Sequence, residues 1–442
     1  YIVLEGNEYD INGSTPIYIE YDSIFDKLEE LMSSEDNLTA LKGYTLIAMC
    51  NPILNYGLEG RRLNFKLLLR DDYNDKTPVE FENEVKDQLD GAFNGLETDI
   101  AYDIDHVYTE TYYSKTYKSD LEQLVKLYID QYKDAISSSD MEASTKEKLL
   151  DKANAMKFSS LYPTEEEYKD LCVSDDLKNA DEGGRFLDTL LAIRKNHQHL
   201  TRKTINHNVK DMTWWAPTKN LLGGVKPWDM NGFHDYYFNQ VYLCHPILAN
   251  SFFDNPDNSK EIDIMNIGYM AGTIGHEIGH AFDDVGCRFN SKGNIENLWS
   301  SRDKAIYKSK VDKLANIYET TFAGCDYNKN IAYYQKGYDV VNETMADLGG
   351  FEIGIGIIKK KYPDDDESLK KYYSYYVQQW LSTEDDHMDD YRLEWRFDDP
   401  HPIYKNRTNP IISMTDDFYR IYNIKESDAM YIAPEDRVTL WN

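Results

Sequence analysis

A single helical stretch, Ile262–Phe282, keeps glycine at Gly268, Gly272, Gly275 and Gly279. Each interior glycine costs a helix on the order of 1 kcal/mol relative to alanine, because it gives up more backbone freedom on folding. A helix that tolerates this is expected to lie close against other backbone. The same stretch carries His276-Glu277-Ile278-Gly279-His280. Residues i and i+4 share one helix face, with Cβ atoms about 5–6 Å apart. Two imidazoles so placed can both reach one Zn2+ at roughly 2.0–2.1 Å. Glu277 projects toward the same side without being a ligand, where a general base for metal-bound water is needed. Histidine is scarce, at 10 of 442 residues. The flanking Ile274, Ile278 and Phe282 read as buried, a setting in which unpartnered imidazoles are costly.

A catalytic zinc takes three protein ligands and leaves one position open. The third ligand is expected from Asn342-Glu343-Thr344-Met345-Ala346-Asp347, where Glu343 and Asp347 stand i, i+4 on a predicted helix. Glu343 is the candidate ligand, and Asp347 the candidate acceptor for the free N–H of a ligating histidine. Asp283, three residues beyond His280, is placed to orient that ring in the same way. The expected load is one zinc per chain.

The rest of the chain sets the frame. Its 442 residues suffice for two domains. A net charge of −30 argues against nucleic acid as a partner, because phosphate binding needs clustered Lys and Arg. Apolar runs such as Leu46–Met49 fall far short of the roughly 20 residues that span a membrane, so no membrane span is expected in this chain. The five cysteines are scattered and give no disulfide framework or finger spacing. The chain begins at Tyr1 rather than Met, and an upstream native start is expected. Leu121, Leu124, Leu127, Ile129 and Tyr132 recur at near-helical spacing, and helices are read over Lys146–Phe158, Glu165–Leu171 and Phe186–Ile193. Trp214-Trp215-Ala216-Pro217 and Gly223-Gly224 punctuate the chain, which places a boundary near residue 205. Beyond it, Gln240–Leu243 reads as a strand, Asp303–Phe322 as a helix, and Asp339–Lys361 as a helix interrupted at Gly349-Gly350. The fold class expected is mainly α with a small β component.

His276–Asp284, flanked by Gly275 and Gly286, resembles the zinc helix of the neprilysin and endothelin-converting-enzyme family. Glu343-Thr-Met-Ala-Asp347-Leu-Gly-Gly is similar to that family's second zinc motif, Glu-x-x-Ala-Asp-x-Gly-Gly. Asn231-Gly232-Phe233-His234 stands where the family has its substrate-binding strand, and Asp399-Pro400-His401 followed by Arg407 resembles its C-terminal Asp-x-His…Arg. The resemblance implies a thermolysin-like catalytic domain at 206–442 and a mainly helical lid domain at 1–205. It implies hydrolysis of internal peptide bonds, with peptides as partners. Asn231 and Gly232 would hold the peptide backbone. His401, oriented by Asp399, would donate to the oxyanion, and Arg407 would bind a substrate carbonyl. Glu277, His401, Asp347 and Asp399 are thus the expected catalytic group. Gly232 and His234 depart from the usual Ala and aromatic residue, and Thr273 stands where the primed-side pocket often carries an aliphatic one. The absence of a cysteine near the final Trp441 suggests a bacterial-type member. An extracellular or cell-envelope setting is favoured over a cytoplasmic one, and oligomeric state is left open. A zinc exopeptidase and a non-catalytic peptide-binding module are the alternative readings.

Overall fold

The computed structural model describes residues 27, 29, 33–40, 42–43, 100–112, 115–159, 165–173, 177–178, 180–184, 186–203, 230–244, 246–247, 252–253, 255–326, 331–381 and 399–441. In chain order, its principal elements begin with α1 (Ala101–Tyr112), α2 (Lys115–Ser138), α3 (Ala143–Asn154) and β1 (Lys157–Ser159). Next come α4 (Glu165–Leu171), α5 (Phe186–Lys203), β2 (Gly232–Asp235), β3 (Gln240–Leu243) and α6 (Lys260–Met270). A π-helical turn, Ala271–Gly275, joins α6 to α7 (His276–Gly279). The chain continues through α8 (Ser301–Glu319), β4 (Phe322–Asp326), β5 (Ile331–Tyr334), α9 (Gly337–Lys361) and α10 (Asp366–Gln379). It closes with α11 (Tyr404–Ser413) and α12 (Asp416–Tyr422). The expectation of a mainly α chain with a small β component is met.

Two compact units emerge. One comprises Tyr1–Tyr112 with Tyr162–Lys226, the other Tyr113–Leu161 with Pro227–Asn442. The position near residue 205, and the punctuation at Trp214–Pro217 and Gly223-Gly224, lie outside the described residues. The N-terminal half is shared between the units: α2, α3 and β1 belong with the C-terminal half.

In the first unit, α1 and α4 meet through Tyr168, which donates to the buried Asp105 at 2.6 Å. Burial pushes the Asp105 carboxyl up to about 7, against the hydrogen bond from Tyr168 and the nearby His106. Asn196 of α5 donates to the Leu171 carbonyl at the end of α4, at 2.7 Å.

In the second unit, the glycine-rich stretch does lie against backbone. A Cβ on Gly275 would fall 2.8 Å from the Gly350 Cα, and one on Gly350 would fall 2.4 Å from the Ala271 carbonyl oxygen. These glycines let the π-helical turn and α9 cross at a separation that a Cβ would block. Helix α9 runs unbroken through Gly349 and Gly350, which corrects the expected interruption. The helix is held by the packing it makes rather than by local propensity. The Lys146–Phe158 pattern also divides, with a helix ending at Asn154 and a strand beginning at Lys157.

Tyrosines on α2 also hold the α6–α7 rod. Tyr128 donates to the Ile267 carbonyl at 2.6 Å, and Tyr132 to the Gly275 carbonyl at 2.8 Å. The second contact falls on the π-helical turn, where the wider register disrupts the regular i→i−4 ladder. In the three-stranded sheet β3 is central, parallel to β1 and antiparallel to β2. Phe233 opposes Tyr242 across β2 and β3, with rings stacked at 4.8 Å. Among the described residues strand β2 is therefore an edge, and Gly232 at its start sits where a Cβ would lie 3.5 Å from Glu277 Cγ.

Candidate active site

Helix α7 and the 3-10 turn that continues it, His280–Phe282, bury His276, Glu277 and His280, leaving 3%, 8% and 8% of each exposed. The Nε2 atoms of the two histidines face each other at 3.0 Å, with ring planes 88° apart. Each Nδ1 is already engaged. His276 Nδ1 donates to Asp347 Oδ1 at 2.7 Å, and His280 Nδ1 to Asp283 Oδ2 at 2.8 Å. In neutral rings of that tautomer, the two Nε2 lone pairs point at one locus. From α9, Glu343 brings Oε2 to 3.2 Å from His276 Nε2 and 3.5 Å from His280 Nε2. That oxygen is buried and makes no hydrogen bond. Burial opposes ionisation of Glu343, but the imidazoles of His276, His280 and His401, when protonated, hold its carboxyl well below the usual carboxylate range.

This donor set fits a zinc ion. Four ligands at roughly 2.0–2.1 Å in a tetrahedron stand about 3.3 Å apart. The separations of 3.0, 3.2 and 3.5 Å bracket that value. Without a cation, two lone pairs and a carboxylate oxygen crowd a buried point with no partner to share, an arrangement close-packed interiors avoid. The three ligand residues expected from the sequence come together here.

The supporting groups are equally well placed. Asp347 is fully buried. Arg407 reaches it from α11 with Nε to Oδ2 at 2.9 Å and Nη2 to Oδ1 at 2.7 Å. Burial would raise the Asp347 carboxyl, but Arg407 and His276 outweigh it and hold it low. The Arg407 guanidinium also lies 3.9 Å from the centre of the Trp380 ring. Asp283 is fixed by backbone N–H groups of Val285 and Gly286, which donate to Oδ1 at 2.8 and 2.6 Å. Glu277 has a carboxyl raised by burial, against the pull of His276 and His280.

His401 is more exposed. Its Nδ1 meets Asp399 Oδ1 at 2.7 Å, and its Nε2 lies 3.1 Å from Glu343 Oε2. The ring is thus turned by Asp399 toward the same locus. Asn231 is exposed before β2, with its Oδ1 accepting the Gly232 N–H at 2.9 Å. Thr273 is buried, its hydroxyl accepting from Gln379 Nε2 at 2.8 Å. His234 is buried with neither ring nitrogen hydrogen-bonded, and burial holds it neutral. It packs edge-on to Tyr236 at 5.3 Å, filling an aromatic position as an aromatic would.

Sequence reasoning missed Lys152. This buried lysine of α3 donates to the carbonyls of Gly286 and Phe289 at 2.6 and 2.9 Å, fastening the turn that carries Asp283. It also missed the hydroxyls of Tyr128 and Tyr132. The only available signal was a pair of tyrosines at i, i+4 on the apolar face of a helix.

Packed helices that deliver this donor set to one point define the zinc-peptidase type of fold. The chain belongs to peptidase family M13, whose models match residues 231–438 and 3–163. It is 25% identical to the neutral endopeptidase of Lactobacillus helveticus, over 94% of this chain and 58% of that protein. It is 24% identical to the neutral endopeptidase of Lactococcus lactis subsp. lactis, over 76% of this chain and 48% of the relative. The chain thus spans about half the length of the curated relatives it matches. Among solved structures, it resembles PEPO from Lactobacillus rhamnosis, with a TM-score of 0.62 at 21% identity, over 94% of this chain and 60% of that one. The Mycobacterium tuberculosis zinc metalloprotease, solved with an inhibitor, gives 0.61 at 21% identity, over 80% and 51%. These likenesses show the fold.

Proposed function

We propose that the chain is a zinc-dependent endopeptidase acting on oligopeptides. The single observation that carries this reading is the convergence of His276 Nε2, His280 Nε2 and Glu343 Oε2 beside the buried carboxyl of Glu277. Family M13, and the printed name of the first relatives, neutral endopeptidase, support the same reading.

His276, His280 and Glu343 would hold the ion, which when bound acidifies water and polarises a carbonyl. The remaining work falls to the protein. Glu277 takes a proton from the attacking water and delivers it to the leaving amine. Its raised carboxyl suits that exchange, because a base close to the working pH both accepts and releases protons. His401, oriented by Asp399, donates from Nε2 to the oxygen on which negative charge develops. The outer edge of β2, unpaired among the described residues, offers backbone groups to an extended peptide by strand addition, with Asn231 and Gly232 at its start. Asp347 and Asp283 keep both imidazoles in the ligating tautomer. Arg407 holds Asp347 in place, and a contact from it to a substrate carbonyl belongs to the same reading. That reading also gives the helical segment 1–205 the role of restricting substrates to peptides, while 113–161 helps to build the unit that carries the site.

The test is direct. Purified chain is analysed for metal and incubated with internally quenched peptides, and the products are read by mass spectrometry. About one zinc per chain with cleavage at internal bonds supports the proposal; hydrolysis by metal-free protein removes it.

A further inference from the structure

Among the described residues, a second set of metal-type ligands lies in the first unit. His106 on α1 aims Nε2 at Glu110 Oε1, one helical turn on, at 3.8 Å. It also faces Glu165 Oε2, at the start of α4, at 3.3 Å. The three ligand atoms lie within 4.8 Å of one another. The imidazole is oriented by something other than the carboxylates it faces. Its ring stacks on Tyr168 at 4.3 Å and 28°, and Tyr168 is anchored in turn on the buried Asp105.

Even with the ring protonated and bonded to Glu165 at 3.3 Å, His106 offsets one of the two carboxylate charges. Two carboxylates approach one imidazole, and among the described residues neither is paired with a lysine or arginine. One imidazole with two carboxylates is a donor set for first-row divalent ions. Distances of 3.3 and 3.8 Å from the imidazole are close to the spacing of ligands around an ion held at about 2.0–2.2 Å. Both carboxylates are exposed, at 63% and 77% of the side chain, so rotation alone closes the set. A net charge of −30 raises the local concentration of cations.

The position along the chain gives the set a meaning. The chain leaves the first unit after Tyr112 and returns to it at Tyr162. Glu110 lies just before the exit and Glu165 just after the return. We propose that His106, Glu110 and Glu165 form a divalent-cation site that clamps α1 to α4 where the chain leaves this unit and re-enters it. The site is structural, independent of hydrolysis, with its remaining coordination positions filled by water.

The test uses the whole chain already carrying one zinc, titrated with zinc and, separately, with manganese. Calorimetry and metal analysis after gel filtration give the stoichiometry. A second equivalent is expected for one or both ions, lost in His106→Ala and weakened at least ten-fold in Glu165→Gln, a fully surface change. Glu343→Gln should lose the first equivalent and keep the second, which separates this site from the reaction centre. Hydrogen exchange at 106–112 and 165–171 should slow on adding the second ion to the unmutated chain alone. A chain that stops at one equivalent with both ions, or a second equivalent that survives both His106→Ala and Glu165→Gln, overturns the proposal and leaves the cluster as an ordinary surface ion pair.

Discussion

Asp347 serves His276 and Arg407 at once: its Oδ1 meets both His276 Nδ1 and Arg407 Nη2 at 2.7 Å, and its Oδ2 takes Arg407 Nε at 2.9 Å. Arg407 is thereby the counter-charge that lets a carboxylate sit fully buried behind His276. Removing it in Arg407→Ala should destabilise the fold by about 3–5 kcal/mol, the cost of stranding one member of a buried pair. Zinc affinity should fall about 10–100-fold, as when the groups that orient a ligand are lost. Urea unfolding at saturating zinc and a competitive chelator titration measure the two effects. Unchanged affinity for zinc would show that Arg407 acts on substrate alone.

Glu277→Gln preserves shape and removes the base. It should retain one zinc per chain while hydrolysis falls by about 10^2–10^4, the usual worth of a positioned acid–base group. Metal analysis beside single-turnover kinetics checks both halves, and near-normal turnover would remove Glu277 from its role.

The pH dependence follows from the same residue. Burial raises the Glu277 carboxyl, and only its ionised form accepts a proton. As pH falls through that raised value the base is lost, so the acid limb of kcat/KM should lie above the ordinary glutamate value of about 4.3. A pH–rate profile of zinc-saturated chain tests this, and an acid limb at or below the ordinary value would contradict it.

Gly350→Ala places a methyl group 2.4 Å from the Ala271 carbonyl oxygen. The obstacle is backbone, which cannot rotate aside. The cost should reach or exceed the roughly 1–3 kcal/mol typical of overpacking. Thermal unfolding should show the loss, and zinc content should fall with it because the α7 segment and α9 carry the proposed ligands between them.

Chelation should lower the unfolding temperature. Zinc at about a thousand-fold above its Kd adds roughly 4 kcal/mol to the folded state, and its removal leaves His276 and His280 Nε2 facing each other at 3.0 Å. Scanning calorimetry with and without chelator, followed by zinc restoration, measures the difference.

Much of the candidate site is legible in the sequence because its signals are local. His276 and His280 are four residues apart, Asp283 follows within a turn, and Glu343 and Asp347 repeat the i, i+4 spacing on α9. The four glycines pointed to close backbone, and Gly275 against Gly350 is that contact. What escaped was non-local. Gly349-Gly350 looked like a break because propensity counts only the helix itself, whereas the partner helix decides. Lys152 reaches the turn after α7 across more than a hundred residues, and no spacing rule connects them. Tyr132 looked like one more apolar position in a helical repeat; its hydroxyl has a purpose only once the π-helical turn exists.

Strand β1 and the tyrosines of α2 come from the first half of the chain, yet they complete the sheet and the helix pair of the second. A gene cut near residue 205 would therefore yield a C-terminal fragment lacking a strand partner for β3, the lysine that pins the turn bearing Asp283, and both hydroxyls that grip the histidine-bearing rod. During synthesis, residues 113–161 must wait for partners translated well after them.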